Sequence, residues 1–265
     1  MDTRPRQQTL TLIAIALTFG SGAADVASFT RLGGVFTSVM TGNIVLWGLA
    51  AARGSLSLAS HTAVSIAGYI VGVAAGTWIA HGATAVPAVK GTAADSAADS
   101  AAESAADSAA ESAAADDQGA LAGPIRWVLF AQLTLLAGFT AGWEVSGASP
   151  AGWAQFSLLA TLAAAMGMQS SAVNNMGLTQ VSTTYLTGTL TGLVSSLAKP
   201  GQSTPHGLRR FGVLIGLVAG ASLCGLCVAT AADAVPALPL AAQITTIVAA
   251  TWPRRGEMSH RGVSM

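Results

Sequence analysis

The sequence predicts an all-α, polytopic bundle of transmembrane helices with about eight spans, six at the fewest. Three observations carry this fold class. Only 9% of the 265 residues are charged and 52% are hydrophobic, whereas a soluble domain carries about 25% charged residues. The charges are gathered: Asp95, Asp99, Glu103, Asp107, Glu111, Asp116 and Asp117 fall in one stretch, and long runs elsewhere carry none. Thirty glycines would be costly in soluble helices, but glycine is more frequent in membrane helices.

About 20 apolar residues cross a bilayer. Eight runs approach that length, at 8–24, 35–52, 60–81, 125–143, 152–170, 182–198, 208–231 and 236–252, and the second, sixth and eighth are short. The runs are continuous and do not alternate, which argues against membrane strands. The first run follows Arg4 and Arg6 in the manner of a secretory signal. It has a counterpart later in the chain and is therefore read as a retained span. Basic residues orient such a bundle. With eight crossings and a cytoplasmic N-terminus, nine basic residues fall inside, and only Arg31, Lys90 and Arg126 fall outside. Both termini are then expected in the cytoplasm. Trp47, Trp78, Trp127, Trp143, Trp153 and Trp252 fall near predicted span ends, as an interfacial belt requires.

Residues 91–118 differ in kind. Ala-Ala-Asp/Glu-Ser occurs five times between Ala93 and Ser112. The stretch lacks any core-forming residue, so nothing offsets its ordering entropy. It is expected as a solvated loop on the external side. Without it the chain carries 12 basic against 5 acidic residues. These are scattered singly, which does not suit nucleic acid.

The chain carries an internal repeat. Gly68, Gly72 and Gly76 recur as Gly212, Gly216 and Gly220 at an offset of 144, and Asp25 falls on Gln169 at the same offset. Leu32-Gly33 likewise falls on Met176-Gly177, Thr41-Gly42 meets Thr187-Gly188 at 146, and Arg53 meets Lys199 at 146. Four crossings separate the copies, so a parallel repeat about an axis along the membrane normal is expected. The resulting organisation is a first membrane repeat over 1–90 holding three spans, the acidic Ala/Ser loop over 91–118, and a fourth span within 119–150. A second repeat over 151–253 and a basic tail over 254–265 follow. The six GxxxG glycines are read as helix packing, since small residues let backbones approach closely.

Polar side chains crowd two places at the edge of apolar spans. One is Asp25 to Asn43, with Arg31 and Thr41; the other is Gln169 to Thr189, with Asn174 and Thr187. Ionisable groups at membrane depth are expensive and usually functional. Asp25, Arg31, Thr41, Asn43, Gln169, Asn174 and Thr187 are therefore the candidate substrate-binding or coupling residues. The two motifs are expected to meet near the pseudo-two-fold axis, in the outer half of the membrane. If Asp25 is buried, it is the best candidate for proton coupling or for binding a cationic group. Catalysis is not expected, because no base is visible to activate a serine or threonine. No nucleotide-binding motif occurs. Cys224 and Cys227 form a CxxC, but the histidines lie at or beyond helix ends, so no metal site and no cofactor are expected.

The stretch GAADVASFTRLGGVFTSVMTGNIVLWGLA resembles the signature of the YoaK-like family of uncharacterised bacterial membrane proteins. MGMQSSAVNNMGLTQVSTTYLTGTLTGL resembles that family's second signature. The resemblance covers nearly the whole chain except the acidic loop. It implies a multi-pass protein of the bacterial inner membrane, and it supplies no substrate. The function expected is a small secondary transporter or permease acting on a small molecule or ion. The alternative is a membrane scaffold, partner subunit or sensor that transports nothing. Membrane lipid is the one partner expected outright, and nucleic acid is not a partner. Oligomeric state is left open.

Overall fold

A computed structural model describes residues 4–81, 125–176, 190, 194 and 205–251. The described helices are α1 (Arg4–Arg31), α2 (Met40–Arg53), α3 (Leu56–His81), α4 (Ile125–Val145), α5 (Trp153–Asn175), α6 (Pro205–Thr230) and α7 (Ala237–Thr251). A 3-10 turn, Ala232–Ala234, leads into α7. Among the described residues, six segments are long and apolar enough to cross a membrane: Gln8–Arg31, Leu56–Ala80, Ile125–Val145, Trp153–Asn175, Phe211–Thr230 and Ala232–Thr251. Their outward faces are apolar, with Ile70, Val71, Phe130, Ile215, Val218 and Leu226 exposed. Apolar exposure on this scale suits lipid and not water. The chain is an integral membrane protein.

The second expected span, 35–52, is not among these six segments. With 14 residues, α2 is about 21 Å long at 1.5 Å per residue, short of the roughly 30 Å hydrocarbon core. The turn after it explains where it stops. Gly54 takes the left-handed conformation (φ 63°), and the Gly54 and Ser55 N–H groups close onto the Ala51 and Ala50 carbonyls. Such a glycine cap ends a helix and reverses the chain. The sixth expected span, 182–198, lies almost wholly outside the described residues.

Contacts settle the direction of each helix. Ile15 lies by Gly216 and Phe19 by Gly220, so α1 and α6 run parallel. Gly68 lies by Ala160 and Gly72 by Ala164, so α3 and α5 also run parallel. Gln155 reaches the Arg31 carbonyl while Gln169 reaches that of Leu17, so α1 and α5 are antiparallel. Gly142 by Leu158, with Gln132 on Gln169, sets α4 antiparallel to α5. Trp143 on the Ala232 carbonyl and Gln243 on that of Leu129 set α7 antiparallel to α4. Thus α1, α4 and α6 run one way, and α3, α5 and α7 the other.

Two expectations change as a result. The four-crossing parallel relation between halves is not the one these helices adopt: α1 and α5, α3 and α6, and α4 and α7 are opposed. The physical reason is that α3 starts at the end of the bundle where α1 finishes, so α2 adds no net crossing between them. Next, His81 and Ile125, the helix ends on either side of residues 82–124, lie at the end where α1 begins. The acidic stretch is expected at the opposite face from the termini only when α2 counts as a crossing. Residues 91–118 themselves lie outside the described residues.

The core has two layers that match these directions. One gathers Ala23, Leu32, Phe139, Trp143, Leu159, Cys224 and Val235, near the end where α1 and α6 finish. The other gathers Ile13, Leu17, Ile125, Leu129, Val173 and Val213, near the end where they begin. Helices α1 and α5 are the most buried, and the glycines explain how α3 and α6 seat on them. A Cβ on Gly72 would overlap the Ala164 carbonyl, and one on Gly220 would overlap that of Phe19. Gly22 meets the Leu217 carbonyl and Gly167 that of Tyr69 in the same way. The register differs from the expected one. Gly72 finds its match in Gly220 and Gly68 in Gly216, one helical turn beyond the 144-residue alignment.

Candidate functional site

The site is built on the segment between α1 and α2. Helix α1 ends where Gly33 and Gly34 take positive φ, 102° and 74°. The chain then turns back along α1, so that Thr37 and Ser38 lie beside Asp25. Six residues separate Asp25 from Arg31, a depth of about 9 Å. Leu32, Val35, Thr37 and Ser38 are buried. Irregular backbone at membrane depth is tolerated only where protein satisfies its polar groups, and Asp25 and Asn43 do so here.

Asp25 Oδ1 accepts hydrogen bonds from the Thr37 N–H (2.9 Å), the Ser38 N–H (2.8 Å) and the Thr37 hydroxyl (3.3 Å). Its Oδ2 accepts from the Ser38 hydroxyl at 2.5 Å. Asn43 pairs with both backbone groups of Phe36: the Phe36 N–H donates to Oδ1 (2.9 Å), and Nδ2 donates to the carbonyl (2.7 Å). Ser65 of α3 also donates to that carbonyl. Arg31 is not the partner of Asp25. Its guanidinium donates to the Val228 carbonyl at 3.1 Å, in the last turn of α6. Cationic groups are favoured there by the helix dipole.

His61 was placed at a span end by the sequence. It lies buried inside α3, stacked on Phe156 with ring centroids 4.3 Å apart. Its Nδ1 faces the Ser57 carbonyl (2.7 Å) and its Nε2 faces Gln155 Oε1 (3.1 Å). Gln155 in turn donates to the Arg31 carbonyl at 3.0 Å. The imidazole therefore joins α3 and α5 to the end of α1.

A second polar network crosses the middle of the bundle. Gln132 of α4 donates to Gln169 Oε1 at 2.9 Å, and Gln169 donates to the Leu17 carbonyl (3.2 Å) and Ser21 Oγ (2.8 Å). Gln243 of α7 donates to the Leu129 carbonyl at 2.9 Å. Gln132 Oε1 and Gln243 Oε1 are buried without a hydrogen-bond partner among the described residues. Tyr69 of α3 donates to Ser170 Oγ of α5 at 2.8 Å.

The structure thus divides the sequence-predicted residues. Asp25 and Asn43 share one cluster, while Gln169 belongs to the other, and Ser21 stands one turn from Asp25 on α1. Thr41 and Asn174 are exposed. Asn174 lies near the far end of α5, so these parts of the two motifs do not meet in one half of the bilayer. Thr187 lies outside the described residues. Trp143 is buried and bonded to Ala232, so it is no interfacial anchor. Cys224 and Cys227 are both free thiols on α6. Sequence reasoning passed over Gln132, Gln155 and Gln243. The signal was present, because each is an amide within an apolar run, the feature that drew attention to Asp25.

The chain matches a family model described as Protein of unknown function (DUF1275) over residues 13–251. No curated protein and no solved structure matches it. The match takes in the six long apolar segments except the first five residues of Gln8–Arg31, and it includes the loop that Asp25 holds and the central glutamines. The chain belongs to this family of unknown function, DUF1275, in keeping with the YoaK-like signatures that its two polar stretches resemble.

Proposed function

We propose that the protein is a small secondary transporter or permease of the bacterial inner membrane, built as an inverted repeat of three crossings per half. The observation that carries this reading is the opposed direction of α1 and α5, α3 and α6, and α4 and α7, with matching contacts in each half. The α1–α6 pairing answers the α5–α3 pairing, with glycine-to-carbonyl contacts in both. The α4–α5 pairing answers the α7–α1 pairing. Inverted repeats are common in secondary transporters, whose sites lie near the bilayer midplane where the repeats meet. The re-entrant α2 adds to this, because discontinuous segments line such sites.

Charge supports an orientation. With the α1 start inside and six crossings, Arg4, Arg6, Lys90, Arg126, Lys199, Arg209, Arg210, Arg254, Arg255 and Arg261 are cytoplasmic. Only Arg31 and Arg53 fall outside. That bias exceeds the nine-to-three split of the eight-span arrangement, and it makes the acidic stretch cytoplasmic. No enzymatic step belongs to this reading.

The test is uptake into liposomes holding the purified protein. A mixed panel of small cationic, neutral and anionic solutes would be followed by mass spectrometry against protein-free liposomes. Accumulation or exchange of at least one solute class is expected. No movement across the panel would favour the second reading, a scaffold, partner subunit or sensor. That reading has its own support, since the Asp25–Asn43 cluster is saturated by its own loop.

A further inference from the structure

The three central glutamines are oriented alike. Each amide NH2 is committed: that of Gln132 to Gln169, that of Gln169 to Leu17 and Ser21, and that of Gln243 to Leu129. The groups left over are oxygens, Gln132 Oε1 and Gln243 Oε1, on side chains 1% exposed. Leu129, which holds Gln243, stands one turn before Gln132 on α4, so both side chains lie at the same level of α4. A buried acceptor without a donor is destabilising, and lipid offers no donor. Two such oxygens call for an explanation outside the protein's own side chains.

We infer that the α4–α7 crossing is a binding site for a small monovalent cation, an alkali ion or ammonium, with Gln132 Oε1 and Gln243 Oε1 as neutral ligands. An acceptor-only site favours cations and N–H donors and repels anions. Neutral carbonyl oxygens can replace the hydration shell of a monovalent ion. Divalent ions are hard cations usually bound through carboxylates, and neither ligand here is one. Asp25 lies one turn above Ser21 on α1, and its own partners are uncharged groups of the loop. The ion's role as the coupling ion rests on the transport reading; the site itself rests on the two oxygens.

The experiment uses the full-length purified protein. Its melting temperature, read by tryptophan fluorescence, is compared in sodium, potassium, ammonium and N-methylglucamine chlorides at equal ionic strength. At least one of the first three is expected to raise the melting temperature saturably above the N-methylglucamine value. Gln132→Met and Gln243→Met should weaken that ion dependence at least tenfold. Gln243→Glu, which adds charge to a ligand oxygen, should strengthen it at least tenfold; a purely structural role for Gln243 would not produce that gain. Equal melting in all four salts would overturn the site. So would an ion-dependent shift kept in both methionine variants. Solute uptake indifferent to these ions would remove the coupling role while leaving the transport reading intact. Ion binding without uptake of any solute would support the site and count against the transport reading.

Discussion

Asp25 and Asn43 show why polar residues sit within apolar spans. Both solve one problem, the backbone of residues 36–38 below the membrane surface. Asp25 accepts two main-chain N–H groups and two hydroxyls, and Asn43 covers both backbone groups of Phe36. A hydrogen bond to a charged group contributes about 1.5–3 kcal/mol. Asp25→Asn replaces one acceptor oxygen with an NH2 that cannot accept from the Ser38 hydroxyl. Hydrogen exchange at residues 32–39 is therefore expected to accelerate at least tenfold, with crossings such as α5 little changed. Unaltered protection of Thr37 and Ser38 would show that the carboxylate is not what holds the loop. Gly33 adds a second constraint. Its φ is 102°, and a Cβ there would occupy the place of the His61 ring, so Gly33→Ala should loosen the same segment.

At the scale of the helices, close approach is the organising feature. Helices in lipid gain no hydrophobic drive from pairing, so backbone contact and van der Waals packing hold them together. Gly72 against Ala164 and Gly220 against Phe19 are the tightest of these contacts, because the obstructing atoms are main chain and cannot swing aside. Overpacking of this kind costs about 1–3 kcal/mol. Gly72→Ala and Gly220→Ala should each lower the melting temperature in detergent. Gly138→Ala and Gly225→Ala face open space in the helices α4 and α6 and should change it little or raise it. Equal effects at all four positions would mean that the glycines serve no packing purpose. The free thiols of Cys224 and Cys227 fit the same picture, as small side chains on one face of α6.

The whole molecule turns on the count of crossings. On the proposed reading of six crossings with a re-entrant α2, the start of α1, the end of α7 and the flanks of the acidic stretch share one face. In a variant without Cys224 and Cys227, cysteines at Ser104 and Ser203 should resist a membrane-impermeant maleimide in intact cells and react after permeabilisation. A cysteine at Ser149, in the short turn between α4 and α5, should react from outside. External labelling at Ser104 would restore the eight-span arrangement. Deleting residues 93–116 should leave the melting temperature within a degree or two, since that composition has no apolar residue larger than alanine to pack. A large drop would mean that the stretch contributes to the fold.

Composition alone determined that this chain is a helical membrane protein, because scarce charge and long apolar runs have few other physical solutions. The glycine periods pointed to close-packed helices, and the polar clusters located the segment that departs from helix. Hydropathy could not separate a crossing from a re-entrant helix of 14 residues, since both are apolar and both lie in protein and lipid. That ambiguity changed the number of crossings separating the two copies from four to three, and whether that number is even or odd decides whether the copies are parallel or opposed. The register between halves was also out of reach, because GxxxGxxxG aligned at 144 matches all three glycines and at 148 still matches two. Only the backbone contacts of Gly72 and Gly220 choose. The partners of Asp25, Arg31 and His61 depended on a chain reversal and on helices far apart in sequence. Side-chain hydrogen bonds are short-ranged, so they follow from the packed arrangement and cannot be read before it.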